Sequence, residues 1–278
     1  MTATFRNQIY LGLAQLCAHL SVVYIFWNFD SRFGLGMLVM YFLMTGWGVS
    51  LIAHRYLSHR SYEAPPWFWR LGSLFFTLSM QGSTLAWVAM HRQHHRYADQ
   101  SRDPHCPRHG FWRVHFLSMF YTPSLRYVID LMRISFHQRI HRHYWAINLA
   151  FSAALWSAFG WKGVIYLHWA PAALCWQGIS VAKTLAHMYG YRNFKTGDDS
   201  RNIPILGYLT FGEAWHNNHH ASPEALSFRV RWHEFDLSYV FLRACAMLFG
   251  FKIISRAQTR LKSIETFTPP KPKLFLRT

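Results

Sequence analysis

The chain contains long apolar stretches close to the length that crosses a lipid bilayer. Four of them lie at about residues 8–28, 33–53, 144–161 and 163–186. A helix of roughly 20 apolar residues spans the hydrocarbon core, where each backbone polar group must be bonded within its own helix. The sequence therefore predicts an all-α membrane protein with four transmembrane helices.

A fifth apolar run, residues 70–90, is expected not to cross the bilayer. Its centre carries the polar sequence QGST at 81–84. Histidine clusters follow both the second span and this run, and they meet on one side of the membrane only if the run does not cross. We expect it to lie at the interface or to dip in and return, which leaves four crossings with both termini on one side.

The distribution of charge predicts which side that is. The formal net charge is +17, and residues 91–143 carry nine arginines. The two predicted outer turns carry only Arg32 with Asp30, and Lys162. Because Lys and Arg accumulate in cytoplasmic loops, the histidines and both termini are expected in the cytosol. Beside membrane spans, a basic face favours anionic headgroups, an acidic redox partner or a phosphate-bearing substrate over nucleic acid.

Nothing in the sequence indicates a second domain. We expect one integral-membrane domain over residues 1–278, with a cytosolic helical cap formed by 54–143 and 187–278. The four cysteines form no CxxC pair and are expected to be unpaired in a reducing compartment. The tail from Thr266 is expected to be extended.

Three histidine clusters indicate a metal centre: HRYLSH at 54–59, HRQHH at 91–95 and HNNHH at 216–220. A further histidine, His187, ends an apolar stretch. Neutral imidazole is the commonest protein ligand for transition metals. Because nine ligands exceed the four to six that one ion takes, the sequence predicts a di-metal site. The candidate ligands are His54, His59, His91, His94, His95, His187, His216, His219 and His220.

The spacing within the clusters predicts how they present their rings. HRQHH and HNNHH each place histidines at i, i+3 and i+4, one face of a helix. His54 and His59 would diverge by about 140° on an α-helix, so each would address a different metal unless the helix ends between them. A histidine-rich pair of redox metals at a membrane surface favours oxygen chemistry. The sequence contains no HExxH, GxSxG or GxxxxGK[ST] motif for other chemistry.

Four segments of the chain resemble one known family. They are HRYLSHRSY at 54–62, WVAMHRQHHRYADQSRDPH at 87–105, AHMYGYRNFKTGDDSRN at 186–202 and FGEAWHNNHHASPEAL at 211–226. The family is that of the membrane fatty-acid desaturases, specifically the stearoyl/acyl-CoA Δ9 type, and the resemblance covers roughly residues 35–235. It implies a four-span fold whose cytosolic cap holds two iron ions on the nine histidines.

The resemblance also implies a reaction. The family uses O2 and two externally supplied electrons to remove two hydrogens from a fatty acyl chain. No HPGG haem-binding motif is present, so a separate donor of the ferredoxin, rubredoxin or cytochrome b5 type is expected. Zinc is expected to replace iron in overexpressed protein. Trp87 follows the family position beside the substrate path, and Gln81 is expected to line it.

Two departures from the family pattern concern the metals and the acyl carrier. Lys183 stands where the family usually has an Asn that holds an iron-bound water. An ammonium has no lone pair for a metal, so we expect Lys183 to be neutral, or turned towards the interface or a carboxylate. The Arg-Lys pair that binds coenzyme A phosphates in animal enzymes falls at Thr122 and Pro123, and their further Arg at Ala89. The carrier is left open as CoA, lipid or acyl-carrier protein.

The remaining histidines are expected outside the metal site. His105 is given a structural hydrogen-bonding role. His137, His141 and His143 are expected on a solvated or headgroup-facing surface. Asp198, Asp199 and Arg201 are expected to order the cap around the metals.

Two other functions are compatible with the sequence. A di-metal membrane hydroxylase or other lipid oxygenase would share the metal chemistry and differ in its product. A metal-transport or metal-storage protein would carry ionisable residues through its spans, whereas nearly all the candidate ligands lie at span ends or beyond. The desaturase is therefore the favoured function.

Overall fold

The structure is a computed structural model, and it describes residues 3–255. The C-terminal part of the expected cap, residues 256–278, lies outside the described residues, as do residues 1–2 and the predicted extended tail. The prediction of a mostly helical fold is confirmed.

Eleven α-helices are described within residues 3–255: α1 (Ala3–Trp27), α2 (Ser31–Phe42), α3 (Pro66–Leu78), α4 (Thr84–Tyr97), α5 (Ile129–Met132), α6 (Ser135–Arg142), α7 (Tyr144–Val164), α8 (Ala170–Leu185), α9 (Pro204–Leu209), α10 (His216–Ala221) and α11 (Leu237–Leu248). Three segments are π-helical: Leu43–Ser58, Arg113–Leu117 and Ile165–Trp169. Three are short 3-10 helices: Pro107–His109, Ser118–Phe120 and Leu125–Val128. The two-residue strands β1 (Tyr62–Glu63) and β2 (Ile254–Ser255) pair antiparallel.

Two of the described helices are long and apolar enough to cross a membrane. They are Asn7–Trp27, within α1, and Ser31–Ser58, in which α2 continues into the first π-helix. Asp30 separates them and caps α2, because its side chain accepts from the Arg32 backbone N–H. Apolar side chains along α1 are more than half exposed, including Leu20, Val23 and Phe26. An apolar surface of this extent is suited to contact with lipid.

Residues 144–185 form a helical hairpin that turns at Gly160. This glycine has φ 66°, a left-handed conformation that a residue without Cβ adopts easily. His168, beyond the turn, contacts Ser152 Oγ at 2.9 Å and Asn148 Oδ1 at 3.2 Å. The two arms therefore run antiparallel, as the third and fourth predicted spans require.

The two predicted outer turns lie beside each other. Lys162 Nζ, after the hairpin turn, donates to Asp30 Oδ2 at 2.9 Å. The Tyr166 hydroxyl accepts from the Asp30 backbone N–H and donates to Asn28 O, both at 2.7 Å. These contacts hold the α1–α2 connection against the α7–α8 hairpin at the end of the helices away from the histidines.

The ambiguous run 70–90 is not one continuous helix. α3 has 13 residues and α4 has 14, each shorter than the roughly 20 that a crossing requires. The chain bends between them, and the Ser83 hydroxyl caps α4 by accepting from the Ala86 backbone N–H. α3 packs tightly on the first π-helix, since a Cβ at Gly48 would lie 2.6 Å from Phe76 N.

Candidate metal centre

The structure brings all nine candidate histidines together in two compact groups. Within each group, the potential ligand atoms lie within 4.8 Å of one another. The first group is His54, His59, His91, His95 and His219, and the second is His94, His187, His216 and His220. Six of the nine residues are buried and three are partly buried. The arrangement offers five nitrogens to one ion and four to another.

His54 and His59 belong to the same group, and the expectation that they diverge is wrong. The reason is the π-helix Leu43–Ser58, in which hydrogen bonds join residues five apart. Its pattern extends one residue further, because the His59 backbone N–H donates to His54 O at 3.2 Å. Five residues then complete little more than one turn, and the two rings lie 5.1 Å apart.

Helices α4 and α10 each supply histidines to both groups. On an α-helix, residues four apart are separated by about 40°, while a residue three along lies about 60° to the other side. His91 and His95 therefore join the first group while His94 joins the second. α10 divides its histidines in the same way, with His219 in the first group. On each helix, the three histidines predicted to share one face are therefore divided between the two groups.

The Nε2 atoms point into the groups at separations that suit a shared metal ion. The distance is 3.0 Å between His54 and His219, and 2.8 Å between His219 and His95. In the second group it is 3.0 Å between His187 and His216. Two nitrogens in adjacent positions around an ion, each about 2.1 Å from it, are about 3 Å apart. The residues present therefore fit two transition-metal ions.

Four of the rings are held from behind by carboxylates. The distances from Nδ1 to the nearest carboxylate oxygen are 2.5 Å for His54–Glu213, 2.9 Å for His94–Asp103, 3.0 Å for His187–Asp99 and 2.7 Å for His220–Asp198. A carboxylate that accepts from Nδ1–H fixes the tautomer, leaves the Nε2 lone pair facing the ion and raises the basicity of the ligand.

Three of these carboxylates were not predicted from the sequence. Asp99 and Asp103 lie four and nine residues beyond His95 and His94, and Glu213 lies three before His216. Their short distance from the histidines in the sequence could have identified them, because imidazole ligands usually have carboxylate partners. Asp198 was expected to order the cap, and it does so through His220.

Burial favours the neutral form of these imidazoles, which is the form that can bind a metal. It lowers the pKa of His91, His95 and His219 well below the usual value, and neighbouring imidazoles add to this effect. Burial also lowers the pKa of His220 to about 4, although Asp198 opposes the shift. Burial would raise the pKa of Asp198, but its hydrogen bond to His220 holds that pKa below its usual range.

The two asparagines of HNNHH fasten the third cluster to the loop before it and to the segment after it. Asn217 Oδ1 accepts from the backbone N–H groups of Asn193 and Phe194, both at 2.8 Å. Asn218 Nδ2 donates to Glu234 Oε2 at 2.9 Å. All these groups are buried, so the short helix α10 is held by side chains as well as by its own backbone.

A cavity lies beside both groups. Trp87 lines it and stacks on His91, with ring centroids 5.1 Å apart and planes 11° apart. Gln81, the other predicted substrate residue, is not part of its wall, and its amide donates to Cys175 Sγ at 3.1 Å. The wall is formed by His54, Trp87, His91, His94, His105, Ile179, Ala182, Lys183, Glu213 and His216.

Lys183 lines this cavity and bonds a hydroxyl group. Its Nζ donates to Ser118 Oγ at 3.1 Å, and no ion pair with a carboxylate is formed by it within residues 3–255. The expected turn towards a carboxylate is therefore not what the structure shows. The side chain lines the cavity beside the histidine groups instead of turning to the membrane interface.

Among the remaining histidines, His105 lies against the second group, with its ring centroid 5.5 Å from that of His94. Its Nε2 has no hydrogen-bond partner within residues 3–255, so the expected hydrogen-bonding role of the ring is not seen.

A second expectation is also corrected. His137 is fully buried, so its expected place on a solvated surface is wrong. Its Nδ1 contacts Thr84 Oγ1 at 3.3 Å, because α6 packs against the start of α4. His141 is exposed and contacts Ser83 Oγ at 2.6 Å.

The four cysteines are free in the structure, as expected.

Comparison with known proteins agrees with this arrangement. Residues 32–252 match the family model for fatty acid desaturases. The chain is 32% identical over 243 residues to an sn-2 palmitoyl-lipid 9-desaturase of Nostoc sp. (strain 36), covering 84% of each chain. It is 32% identical over 227 residues to an sn-1 stearoyl-lipid 9-desaturase of Synechocystis sp., covering 80% of this chain and 71% of the relative.

A plant relative shows the same similarity over more of the chain. The Delta-9 acyl-lipid desaturase 1 of Arabidopsis thaliana is 32% identical over 274 residues, covering 92% of this chain and 87% of the relative. The resemblance inferred from the histidine clusters is thereby confirmed. The chain belongs to the fatty acid desaturase family and is an enzyme of the oxidoreductase class.

Proposed function

We propose that this protein is an O2-dependent di-iron desaturase that places a Δ9 double bond in a fatty acyl chain. The observation that carries the proposal is the division of nine buried or partly buried histidines into groups of five and four beside one cavity. Similarity to enzymes named as 9-desaturases supports the position of the double bond.

The two groups would hold one iron ion each, and zinc would take their place in overexpressed protein. Bound iron would supply the activation of O2, in a reaction that consumes two electrons and two protons and yields the alkene and two waters. Asp99, Asp103, Asp198 and Glu213 keep the imidazole nitrogens oriented towards the ions. Trp87 shields the cavity from water beside His91.

An acyl-lipid is the substrate carrier that we propose. The similar enzymes named above are described as acting on palmitoyl-lipid, stearoyl-lipid or acyl-lipid. The positions that bind coenzyme A phosphates in animal enzymes are Thr122, Pro123 and Ala89 here, none of which carries a charge. Both facts favour a lipid over acyl-CoA or an acyl-carrier protein.

In the membrane, α1, the helix Ser31–Ser58 and the two arms of the α7–α8 hairpin would form four crossings. Two helices of sufficient length and the pairing of the outer turns through Asp30 and Lys162 support this topology. The arginine-rich segment 91–143 would place the metal centre and both termini in the cytosol. An external one-electron donor of the ferredoxin, rubredoxin or cytochrome b5 type would dock there.

Lipid mass spectrometry tests the proposal after expression in a host that lacks its own desaturase. The expected product is an acyl chain with a double bond between carbons 9 and 10, which has two hydrogens fewer than its precursor. A hydroxylated chain, which carries an added oxygen atom, would instead identify the protein as the lipid oxygenase considered above. The variant His94→Ala, expressed to the same level, is the control for host activity.

A further inference from the structure

A second cleft, with a volume of about 550 Å³, has no wall residue in common with the metal cavity. The hydrogen bond between Lys183 and Ser118 separates the two spaces, because Lys183 lines the cavity and Ser118 lines the cleft. A volume of this size suits a small molecule or a lipid headgroup. We call this space the arginine cleft, since its wall includes three arginines and three tyrosines: Arg102, Arg113, Arg126, Tyr97, Tyr121 and Tyr127.

The positive charge of the arginine cleft is not neutralised by neighbouring carboxylates. Its three arginines are exposed, and none of them forms an ion pair within residues 3–255, whereas Arg60, Arg92 and Arg108 each pair with an aspartate. Asp103, the one carboxylate among the wall residues, is buried and already accepts from His94 Nδ1 and from two backbone N–H groups. Three unpaired guanidinium groups around one cleft favour an anionic ligand, and their planar donors match the oxygens of a phosphate group.

Tyrosine rings hold two of these arginines in place. The guanidinium carbon of Arg102 lies 5.7 Å from the centre of the Tyr97 ring, and that of Arg126 lies 4.9 Å from the centre of the Tyr127 ring. Arg126 Nη2 also donates to the Tyr127 hydroxyl at 2.9 Å. A guanidinium group that stacks on a ring keeps most of its N–H donors free. Both arginines can therefore donate to a ligand without first leaving another partner.

Contacts with α1 and α8 place the cleft at the depth of the lipid headgroups. Gln8, the second residue of the apolar helix Asn7–Trp27, donates from Nε2 to the backbone oxygen of Phe120 at 2.6 Å, and Phe120 lines the cleft. His115 Nε2 lies 3.0 Å from Gln177 Oε1 on α8. Gln8 is at the end of its helix away from the outer turns. In the proposed topology, the cleft therefore lies where the cytosolic headgroup layer meets the hydrocarbon.

An exposed apolar surface adjoins the cleft. The π-helix Arg113–Leu117 and the residue before it carry Trp112, Phe116 and Leu117, whose side chains are 72%, 38% and 56% exposed. The rings of Trp112 and Phe116 stack with their centroids 5.7 Å apart. At this depth, such a surface suits contact with acyl chains. A phospholipid matches both the arginines and the apolar segment, whereas an acidic protein matches the arginines alone.

We propose that the arginine cleft binds the phosphate group of a phospholipid of the cytosolic leaflet, whose acyl chains lie against the apolar side chains of residues 112–117. The three arginines donate to the phosphate oxygens. The inference rests on the proposed function only for the topology that gives the cleft its depth. The bound lipid is a resident of the membrane and is distinct from the substrate, because the contact between Lys183 and Ser118 separates it from the metal cavity.

The test uses ligands that differ in the phosphate group and cannot be substrates. Full-length protein in a neutral detergent would be titrated calorimetrically with dioctanoyl phosphatidylglycerol and with dioctanoylglycerol, whose chains are too short to contain a carbon 9. We expect the phosphatidylglycerol to bind at least about tenfold more tightly, because its phosphate accepts charge-assisted hydrogen bonds. Inorganic phosphate, which lacks the apolar part, should bind at least about tenfold more weakly than the phosphatidylglycerol.

The variants locate the effect. Arg113→Gln and Arg126→Gln should each weaken the binding of dioctanoyl phosphatidylglycerol about tenfold and leave that of dioctanoylglycerol nearly unchanged. Arg139→Gln removes an exposed arginine of α6 that is outside the cleft wall, and this matched control should bind as the wild-type protein does. Trp112→Ser should weaken the phosphatidylglycerol several-fold without changing the affinity for inorganic phosphate. The elution volume in detergent verifies that each variant is folded.

Three results would overturn the inference. They are equal binding of the two dioctanoyl ligands by the wild-type protein, undiminished binding in both arginine variants, and binding of inorganic phosphate as tight as that of the phospholipid. None of these measurements depends on turnover. A protein that makes no alkene but binds the phospholipid through Arg113 would keep the lipid site and lose the desaturase assignment. An active desaturase without a preference for the phosphate would do the reverse.

Discussion

The Nε2 atoms of His94 and His220 face each other at 3.3 Å, while Asp103 and Asp198 hold their Nδ1 atoms from behind. Each ring donates its Nδ1 hydrogen to its carboxylate, so each Nε2 presents a lone pair. Two lone pairs at this distance repel unless a cation lies between them. The second group of histidines is therefore arranged for an ion before the ion arrives.

The first prediction concerns these carboxylates. Asp198→Asn should weaken metal binding at the second group about 10- to 100-fold, because the amide cannot hold His220 in the required orientation as a carboxylate does. Metal analysis after dialysis against a weak chelator should find close to one ion per chain, against two in the wild-type protein. Asp199→Asn, next along the chain and half exposed, is the control. Equal metal content in all three proteins would contradict the prediction.

The second prediction concerns the ligands themselves. His54→Ala, His94→Ala or His219→Ala should abolish desaturation while the protein still enters the membrane. The metal site is disrupted, whereas the membrane helices keep their own backbone hydrogen bonds. Product yield and the elution volume in detergent are the two measurements. Wild-type yield in any one variant would remove that histidine from the ligand set.

The third prediction concerns pH. An unfolded chain protonates histidine near pH 6.5, whereas burial lowers the pKa of His220 to about 4 in the folded protein. Acidification therefore favours unfolding, and the free energy of unfolding of the metal-free protein should fall as the pH falls from about 6.5 to about 4. His220 alone accounts for on the order of 3 kcal/mol. Denaturation midpoints that do not change between pH 7 and pH 5 would exclude this effect.

The fourth prediction concerns the run 70–90. In a protein whose exposed Cys17 is replaced by Ser, cysteines placed at Pro65 and at Arg102 should both react with an impermeant reagent from the cytosolic side. A cysteine at Asn28, in an outer turn, should react only from the opposite side. Labelling of the Pro65 and Arg102 positions from opposite sides would show that the run crosses.

The fifth prediction concerns a buried arginine beside the first ligand. Arg55 is fully buried, donates to Asp236 Oδ2 at 2.9 Å, and lies 3.6 Å from Glu213 Oε1. Arg55→Met removes the cation beside two buried carboxylates and should destabilise the protein by about 3–5 kcal/mol. Arg60→Met, which removes a half-exposed partner of Asp130, should cost less than about 1 kcal/mol. Unfolding in denaturant measures both, and equal losses would contradict the prediction.

The sequence predicted the helical fold and the grouping of histidines because both depend on local patterns. Apolar runs of membrane length and short ligand spacings are readable without tertiary structure. Asp99 and Glu213 were not predicted as partners of His187 and His54, since each pair is brought together only by folding. The same limit applies to His137, whose burial depends on how α6 packs on α4.

The relation between His54 and His59 shows a different limit. The two rings would be separated on an α-helix, and nothing in HRYLSH signals the wider winding of the π-helix that brings them together. Lys183 was recognised as a departure from the family, yet its partner Ser118 lies 65 residues away in the sequence. Long-range pairs of this kind are set by the packing of whole elements, which local patterns do not contain.

The π-helix also changes the sequence spacing that places two histidines on the same face of a helix. In an α-helix, two histidines that lie one turn apart on the same face have the spacing HxxxH. In the wider π-helix Leu43–Ser58, the same arrangement requires the spacing HxxxxH. A deletion of one residue between His54 and His59, accompanied by a return to α-helical winding, would keep both imidazoles pointing the same way. What brings both rings to one ion is therefore the completed turn, and the number of residues between the two histidines depends on the winding of the helix.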